Sequence, residues 1–554
     1  MYSYVKKNIN LIISVFILLG PILDLITGFC IHSLNINLTL GIIIRMIFLI
    51  YMCLIVIFIF KKKKLIIPYL IIGIYFIMYT LGMIIFKNTI LFNEIQGLVK
   101  VFYFPILFIS IYSIKDEINT SKMTLFVILF LYLLFIFTPT LLGIGYKSYE
   151  VTKVGTLGFF NSANEVSGII SILTPIMFII LYRSKSLFST IILLIMYLVV
   201  ILMMGTKTPL LSLIITLLVV FTHFGIKLII EKKYKTILIS SIVIIIGIIS
   251  LIIIIPKTNF YKNIKTHLDY LGLNNITEVF TKEKYIDHFI FSSRLKFLKN
   301  KSKIYNKAPI YKKIFGIGYL NNNKEVKMIE MDYFDIFYSH GIIGFIVFFA
   351  PTLYILYDIF KRKREKSFDN LMLYVSVFLI SILSLLTGHI ITAPSVSLLC
   401  ILIFIMLSIK NKKHLLIIED NEEFYLKDKI SNEYEIKLIK NDIKEKNNIK
   451  LLIYKIINYM TYDICICYHI SYEHSSELAI VSSDNRVIFI NKDMNVKRNE
   501  IFMYFKDIRI YQYKLLLFDN KIRKDKFLSI YNNLKERCIV FNKNDDINEI
   551  LLNN

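Results

Sequence analysis

Charge is scarce in this 554-residue chain: Asp, Glu, Lys and Arg make up 19% of it, against 56% apolar residues and a mean hydropathy of +0.63. That balance lies outside the range of ordinary globular domains and excludes a soluble enzyme. Acidic residues are the scarcer sign, 40 against 65 Lys and Arg, for a formal charge of +25. The apolar residues come in unbroken runs rather than as helical stripes, so no nucleic-acid partner is expected and the charge is read against a lipid bilayer. Cysteines number six and follow no metal-ligand or pairing pattern: Cys30, Cys53 and Cys400 lie in apolar runs, Cys465, Cys467 and Cys538 in the polar C-terminal stretch. Neither a disulfide nor a metal site is expected. No small-residue cleavage site follows the first apolar run, which is therefore read as a retained helix rather than a signal peptide. Tryptophan is absent from a chain rich in Ile, Lys and Asn, the composition of an AT-rich genome.

What is abundant is long apolar runs. A helix needs about 20 apolar residues to cross about 30 Å of hydrocarbon. About twelve segments qualify, near 9–29, 37–60, 65–86, 96–113, 123–144, 165–182, 187–205, 209–226, 236–255, 334–357, 371–390 and 394–409, the eighth and twelfth being the weakest. Lys6-Lys7, Lys61 to Lys64, Arg183 with Lys185, Lys232-Lys233 with Lys235, Lys361 to Arg364 and Lys412-Lys413 all fall on one side of this alternating map. Short basic loops mark the cytoplasm. The chain is then expected in the cytoplasmic membrane with both termini in the cytoplasm and residues 256–333 forming one long outer loop. That loop carries 15 Lys and Arg against 7 Asp and Glu. It is read either as a basic platform for an anionic partner or as a reflection of overall composition.

Ionisable groups within spans are costly and mark candidate sites. Asp24 and Arg45 fall at similar depths in the first two spans and are placed to pair, which leaves open whether they merely neutralise each other. Lys100 lies in the outer half of the fourth span, where snorkelling to the interface is the alternative. The outer turn Gly205-Thr206-Lys207-Thr208-Pro209 sets one cation between two spans, and Arg294 is the sole arginine of the long loop. Lys100, Lys207 and Arg294 converging on one outward cleft would suit a pyrophosphate, because cations there bind the anion and stabilise charge growing on a phosphate leaving group. Where the loop re-enters the membrane, Glu330 and Asp332 are candidates for a general base toward a sugar hydroxyl. Salt bridges to the surrounding lysines are the alternative. His340 reads as a packing residue, and His389, at an outer span end, is the better-placed histidine.

The residues Gly158-Phe159-Phe160-Asn161-Ser162-Ala163-Asn164-Glu165 open a span. The Gly205 to Pro209 turn and the long loop follow, with Arg294, Gly316-Ile317-Gly318-Tyr319 and the acidic stretch before Gly341-Ile342-Ile343-Gly344. In this order they resemble the O-antigen ligase and polymerase superfamily of integral-membrane glycosyltransferases, over roughly residues 1–410. The resemblance implies a GT-C-like, all-α polytopic membrane domain. It further implies transfer of a glycan from an undecaprenyl-pyrophosphate carrier to a sugar hydroxyl at the outer face, with no metal, cofactor or nucleotide sugar. Carried over by position, Arg294 and Lys207, with Arg45 and Lys100, would meet the pyrophosphate, while Asn164 would belong to the packing or acceptor side. Two departures stand out: Lys207 replaces the commoner arginine, and Glu330 with Asp332 stand where ligases carry a His-Asn pair. The second leans toward a polymerase-like branch, as does an AT-rich, Gram-positive host without a lipopolysaccharide core to ligate. A flippase or exporter of lipid-linked glycans is the alternative, though such carriers favour repeated halves and no convincing internal repeat is found.

Beyond residue 410 the charges become mixed and short apolar runs alternate with amphipathic stretches. Strands are expected at His414–Ile418, Tyr434–Ile439, Asp463–Tyr468, Arg486–Ile490, Lys514–Phe518 and Arg537–Phe541. Helices are expected near 449–461, 470–482, 521–534 and 545–552. The alternation implies a cytoplasmic, Rossmann-like parallel α/β domain over 411–554. The run of Tyr462 to Tyr468, Val487 to Asp493 and Leu516 to Asp519 resembles the acceptor half of GT-B glycosyltransferases, without a donor half and without a Gly-rich phosphate loop. The expected role is docking, toward cytoplasmic glycosyltransferases or chain-length regulators.

Overall fold

The computed structural model describes residues 2–409 apart from 37–38, 86–90, 119, 149–153, 185–186, 320–327 and 362–366. Beyond 409 it describes mainly 413–419, 434–440, 448–459, 462–468, 482–491, 514–518 and 538–540. The chain divides into two compact units. Met1–Ile118 with Leu125–Ile409 form one, and Asn119–Thr124 with the segment after Ile409 form the other.

The first unit is helical. In order it holds α1 (Tyr2–Leu18), α2 (Gly20–His32), α3 (Leu40–Leu54), α4 (Ile66–Ile85), α5 (Leu91–Ser113), α6 (Lys122–Leu142), α7 (Ala163–Arg183), α8 (Leu187–Met204), α9 (Lys207–Ile230) and α10 (Tyr234–Ile254). The long loop folds into four short helices, α11 (Asn259–Leu271), α12 (Glu283–Phe291), α13 (Arg294–Lys307) and α14 (Ile310–Phe315). The unit closes with α15 (Asp332–Lys361), α16 (Phe368–Leu386) and α17 (Pro394–Ser408). Among the described residues, ten helices, with α1 and α2 counted as one stretch from Asn8 to His32, are long and apolar enough to cross a membrane. The protein is a multi-pass membrane protein.

The remaining two of the twelve expected spans are α10, a 21-residue helix, and α17, a 15-residue helix where the weak twelfth span was expected over 394–409. At 1.5 Å per residue α17 covers about 23 Å, less than the hydrocarbon thickness. Its place explains the shortness. Every residue of α17 except Met406 is buried, so it forms the centre of the bundle with protein on all sides. By contrast the apolar stretches of α4 and α9 are only 17% and 11% buried, which puts them on the lipid-facing periphery. Helix ends follow local chemistry: Ser162 accepts the Glu165 amide to start α7, Thr258 accepts that of Tyr261 to start α11, and Pro394 opens α17.

One interior break matters for the site. α15 is kinked at Gly341, whose backbone (φ 67°, ψ −169°) is open to glycine alone. The break leaves the Tyr338 and Ser339 carbonyls without their helical donors. The amides of Ile317 and Gly318 take them at 3.0 and 3.1 Å, while the Tyr319 amide donates to the buried Glu94 carboxylate. The Gly316 to Tyr319 segment is thus stitched into the bundle, and its glycines allow two backbones to touch.

The second unit contains a six-stranded sheet, β1 (Lys413–Glu419), β2 (Tyr434–Lys440), β3 (Tyr462–Tyr468), β4 (Ser483–Asn491), β5 (Lys514–Phe518) and β6 (Cys538–Val540), in the order β2-β1-β3-β4-β5-β6. Every adjacent pair is parallel. α18 (Asn448–Ile457) matches the first expected helix; the other three fall mostly or wholly outside the described residues. Leu415 to Ile418 and Ile464 to Cys467 are buried, as parallel strands covered on both faces require.

Candidate functional site

The long loop presents its arginine through a sharp reversal. Ser292 and Ser293 both adopt left-handed backbone (φ 52° and 65°), turning the chain between α12 and α13. The Asp287 carboxylate accepts the Leu295 and Lys296 amides at 2.9 and 3.0 Å and caps α13. Arg294, first residue of that helix, is thereby pointed inward and left only 8% exposed. Its guanidinium donates to Glu330 Oε2 at 2.9 Å, while its Nε is buried without a partner. A buried donor left unpaired carries a desolvation cost, so this edge of the arginine is set for an anionic acceptor.

Glu330 also has left-handed backbone (φ 60°), and its side chain remains 42% exposed. Its two acidic neighbours hold it there. Asp335 pairs with the buried Lys301 at 3.1 Å and accepts the Ile329 and Met331 amides at 3.0 and 3.2 Å, fixing the backbone on either side of Glu330. Asp332 accepts the amides of His389, Ile390 and Ile391 at 2.8 to 2.9 Å and the Thr392 hydroxyl at 2.6 Å. These four bonds bear on the expected role of Asp332. Its lone pairs are filled by the loop that caps α17, so geometry places it in the frame rather than as a free base. The same loop packs the Gly388 backbone on that of Glu330.

Lys207 starts α9 from the expected turn. Asn259 and Asn263 of α11 hold that turn through the Met203 and Gly205 carbonyls, and Ser167 donates to Thr206. The Lys207 ammonium donates to the Phe289 carbonyl and lies 4.4 Å from the centre of the Phe289 ring. It is close enough to Arg294 for the two charges to repel. Asn164, at the start of α7, completes the group by donating to Glu330 at 3.4 Å.

Lys207, Arg294, Asn164 and Glu330 are therefore brought together, with His389 on the adjoining turn. Arg45 is elsewhere, paired with Asp24 at 2.7 Å, and Tyr132 donates to the second Asp24 oxygen at 2.5 Å. That arrangement is mutual neutralisation. Lys100 is half-buried near the charge of Glu165, whose carboxylate accepts from Ser395. Among the described residues no hydrogen bond or ion pair joins Arg45 or Lys100 to the Arg294 group. His340 packs between Tyr75 and Tyr319, hydrogen-bonded to both hydroxyls.

Two residues were not singled out by sequence. His267 of α11 and His288 of α12 face each other at 3.3 Å, with the His288 ring stacked on Tyr270 and bonded to Ser293. Burial, then Lys207, then His288 push His267 down to about 4. Burial and Lys207 also lower His288, against the opposite pull of Asp287. Burial is the main cause in both imidazoles, and the nearby Lys207 charge adds to it. Their 21-residue separation matches no ligand or catalytic spacing, so only the folded loop brings them together.

Among the described residues, no group of three or more His, Cys, Asp or Glu is arranged to hold a metal. The sequence profile of a family described as "O-antigen ligase like membrane protein" matches residues 6–284 and 274–414. No curated protein matches the chain.

Proposed function

We propose that this chain, which belongs to the O-antigen ligase like membrane protein family, polymerises or ligates a surface polysaccharide by moving a glycan from an undecaprenyl-pyrophosphate carrier to a sugar hydroxyl at the outer face of the cytoplasmic membrane. The observation that carries this reading is the buried Arg294 guanidinium, half-paired with Glu330 and half-unpaired, beside Lys207. Two like charges held close in a poorly hydrated place favour a dianionic ligand. A pyrophosphate entering there competes with Glu330 for Arg294 and releases the carboxylate. The freed Glu330 takes the proton of the acceptor hydroxyl as its oxygen bonds to the anomeric carbon. The bond from the anomeric carbon to the phosphate oxygen breaks, and undecaprenyl pyrophosphate leaves with the electron pair, its growing charge met by Arg294 and Lys207. Asn164, which donates to the carboxylate, and His389, on the turn after Gly388, are assigned to the acceptor sugar. Lys100 is left as a further cation for the carrier, and Arg45, held by Asp24, is assigned to the frame.

The family match ends at residue 414, so nearly all of the sheet-bearing unit lies outside it. We assign that unit to docking of cytoplasmic glycosyltransferases or chain-length regulators.

The test is transfer from purified lipid-linked repeat units by the reconstituted full chain. Glu330→Gln should lower the rate about 10² to 10⁴-fold, as loss of a general base does. Arg294→Lys keeps the charge but loses the planar fork and should also cost most of the activity. Near-normal turnover in both variants sinks the assignment. Lipid-linked units that cross the bilayer untransferred would turn the reading to export.

A further inference from the structure

On the lipid-facing side of the bundle, α4 and α14 enclose an open cavity of about 220 Å³. Its wall is apolar, formed by Met78, Leu81, Gly82 and Ile85 of α4 and by Phe315 of α14, with Tyr79 at its floor. Met78, Leu81 and Ile85 are among the exposed large apolar residues, as lipid-facing positions are. Gly82 is the telling residue: a Cβ built there meets nothing within 4 Å, so this helix leaves out a side chain where one would fit. Apolar cavities of about 150 Å³ already admit benzene-sized guests. Against a bilayer, such a recess is filled by hydrocarbon chain.

The rim of the recess is basic. Lys312 lines it and Lys313 follows on the same short helix, which also presents Ile310 at 77% exposure and Tyr311. Lysines beside exposed apolar residues on one helix are the pattern of a segment lying in the headgroup layer. Among the described residues neither lysine has an ion-pair partner, and partial burial lowers the pKa of Lys312. A desolvated cation of this kind calls for a counter-charge.

We propose that this groove seats one anionic phospholipid, an acyl chain lying along Gly82 and the phosphate on Lys312 and Lys313. The groove has cations of its own, separate from Lys207 and Arg294, so the proposal stands apart from the transfer chemistry. Its structural consequence is direct. α14 runs into the Gly316 to Tyr319 segment that is stitched to the kink of α15, so a seated lipid anchors the return of the outer loop.

The experiment is native mass spectrometry of the detergent-purified full chain with equal amounts of dioleoyl-phosphatidylglycerol and dioleoyl-phosphatidylcholine. The wild type should retain one phosphatidylglycerol with a several-fold preference. The double variant Lys312→Gln, Lys313→Gln should bring the two lipids to parity. Gly82→Leu, which places a good helix former in the recess, should lose the retained lipid several-fold. Equal retention of both lipids by the wild type overturns the proposal, as does a preference that survives both variants. Displacement of phosphatidylglycerol by equimolar undecaprenyl phosphate also overturns it and gives the groove to the isoprenoid carrier.

Discussion

Residues of one type take different parts here, and neighbours far along the chain decide which. Glu330, Asp332 and Asp335 lie within six positions. Asp332 is saturated by amides from 389–391, Asp335 by Lys301 and the turn it closes, and Glu330 alone keeps exposed oxygens beside an arginine. Sequence could mark the stretch as unusual, since carboxylates at a membrane boundary are, but the partners that sort the three lie up to 60 residues away. Arg294 and Lys207 were legible because each is isolated by type or by turn. His267 and His288 were not, and their pairing makes a prediction. His267 titrates near 4 in the fold but near 6.5 in an opened loop. Between those values the opened form binds a proton that the closed form lacks, so packing of α11 on α12 weakens as pH falls from about 6.5 toward 4 and is at full strength above. Amide exchange in α11 and α12, corrected for intrinsic rate, should show protection steady at neutral pH and declining below about 6.5. The variant His267→Gln should flatten that decline, and an unchanged acid profile in the variant would assign the effect to other groups.

At the scale of elements, apolar runs told where helices lie but not where they break or how short they become. α17 was one of the two weakest expected spans, and its enclosure by other helices makes 15 residues enough. The kink in α15 was legible only as the string Gly341-Ile342-Ile343-Gly344, because it meets the incoming segment of Gly316 to Tyr319, which periodicity cannot report. Gly341→Ala puts a Cβ on a glycine-only backbone and against the backbones of Ile314 and Gly316. The conformation alone costs about 1 to 3 kcal/mol. Gly225→Ala is the control, since a Cβ there meets nothing within 4 Å in the middle of α9. Apparent Tm in detergent should fall by several degrees for Gly341→Ala and stay or rise for Gly225→Ala. Equal values for the two would show that the kink is not held by this glycine.

For the whole membrane unit, ion pairs tie together the helix ends that carry the basic clusters. Arg183 at the end of α7 meets Asp369 at the start of α16 at 2.5 Å, and Lys115 just after α5 meets Asp358 near the end of α15 at 3.4 Å. Lys6 of α1 lies 5.9 Å from the Phe60 ring, beyond α3. The candidate site uses the opposite ends of the same helices, namely the starts of α7, α9 and α15 and the end of α16. α9 fixes the separation: its 24 residues, at 1.5 Å each, carry Lys207 about 35 Å from the turn at Lys232. A helix of that length crossing the bilayer sets Lys232 and the Arg294 group on opposite sides, and the expectation from the basic short loops is that Lys232 faces the cytoplasm. In a cysteine-free background, Lys299→Cys on exposed α13 should react with a membrane-impermeant maleimide on intact cells. Lys232→Cys should react only after permeabilisation. The reverse pattern would put the site in the cytoplasm, where a sugar nucleotide rather than a lipid-linked glycan would be the available donor, and the proposed chemistry would fall with the orientation.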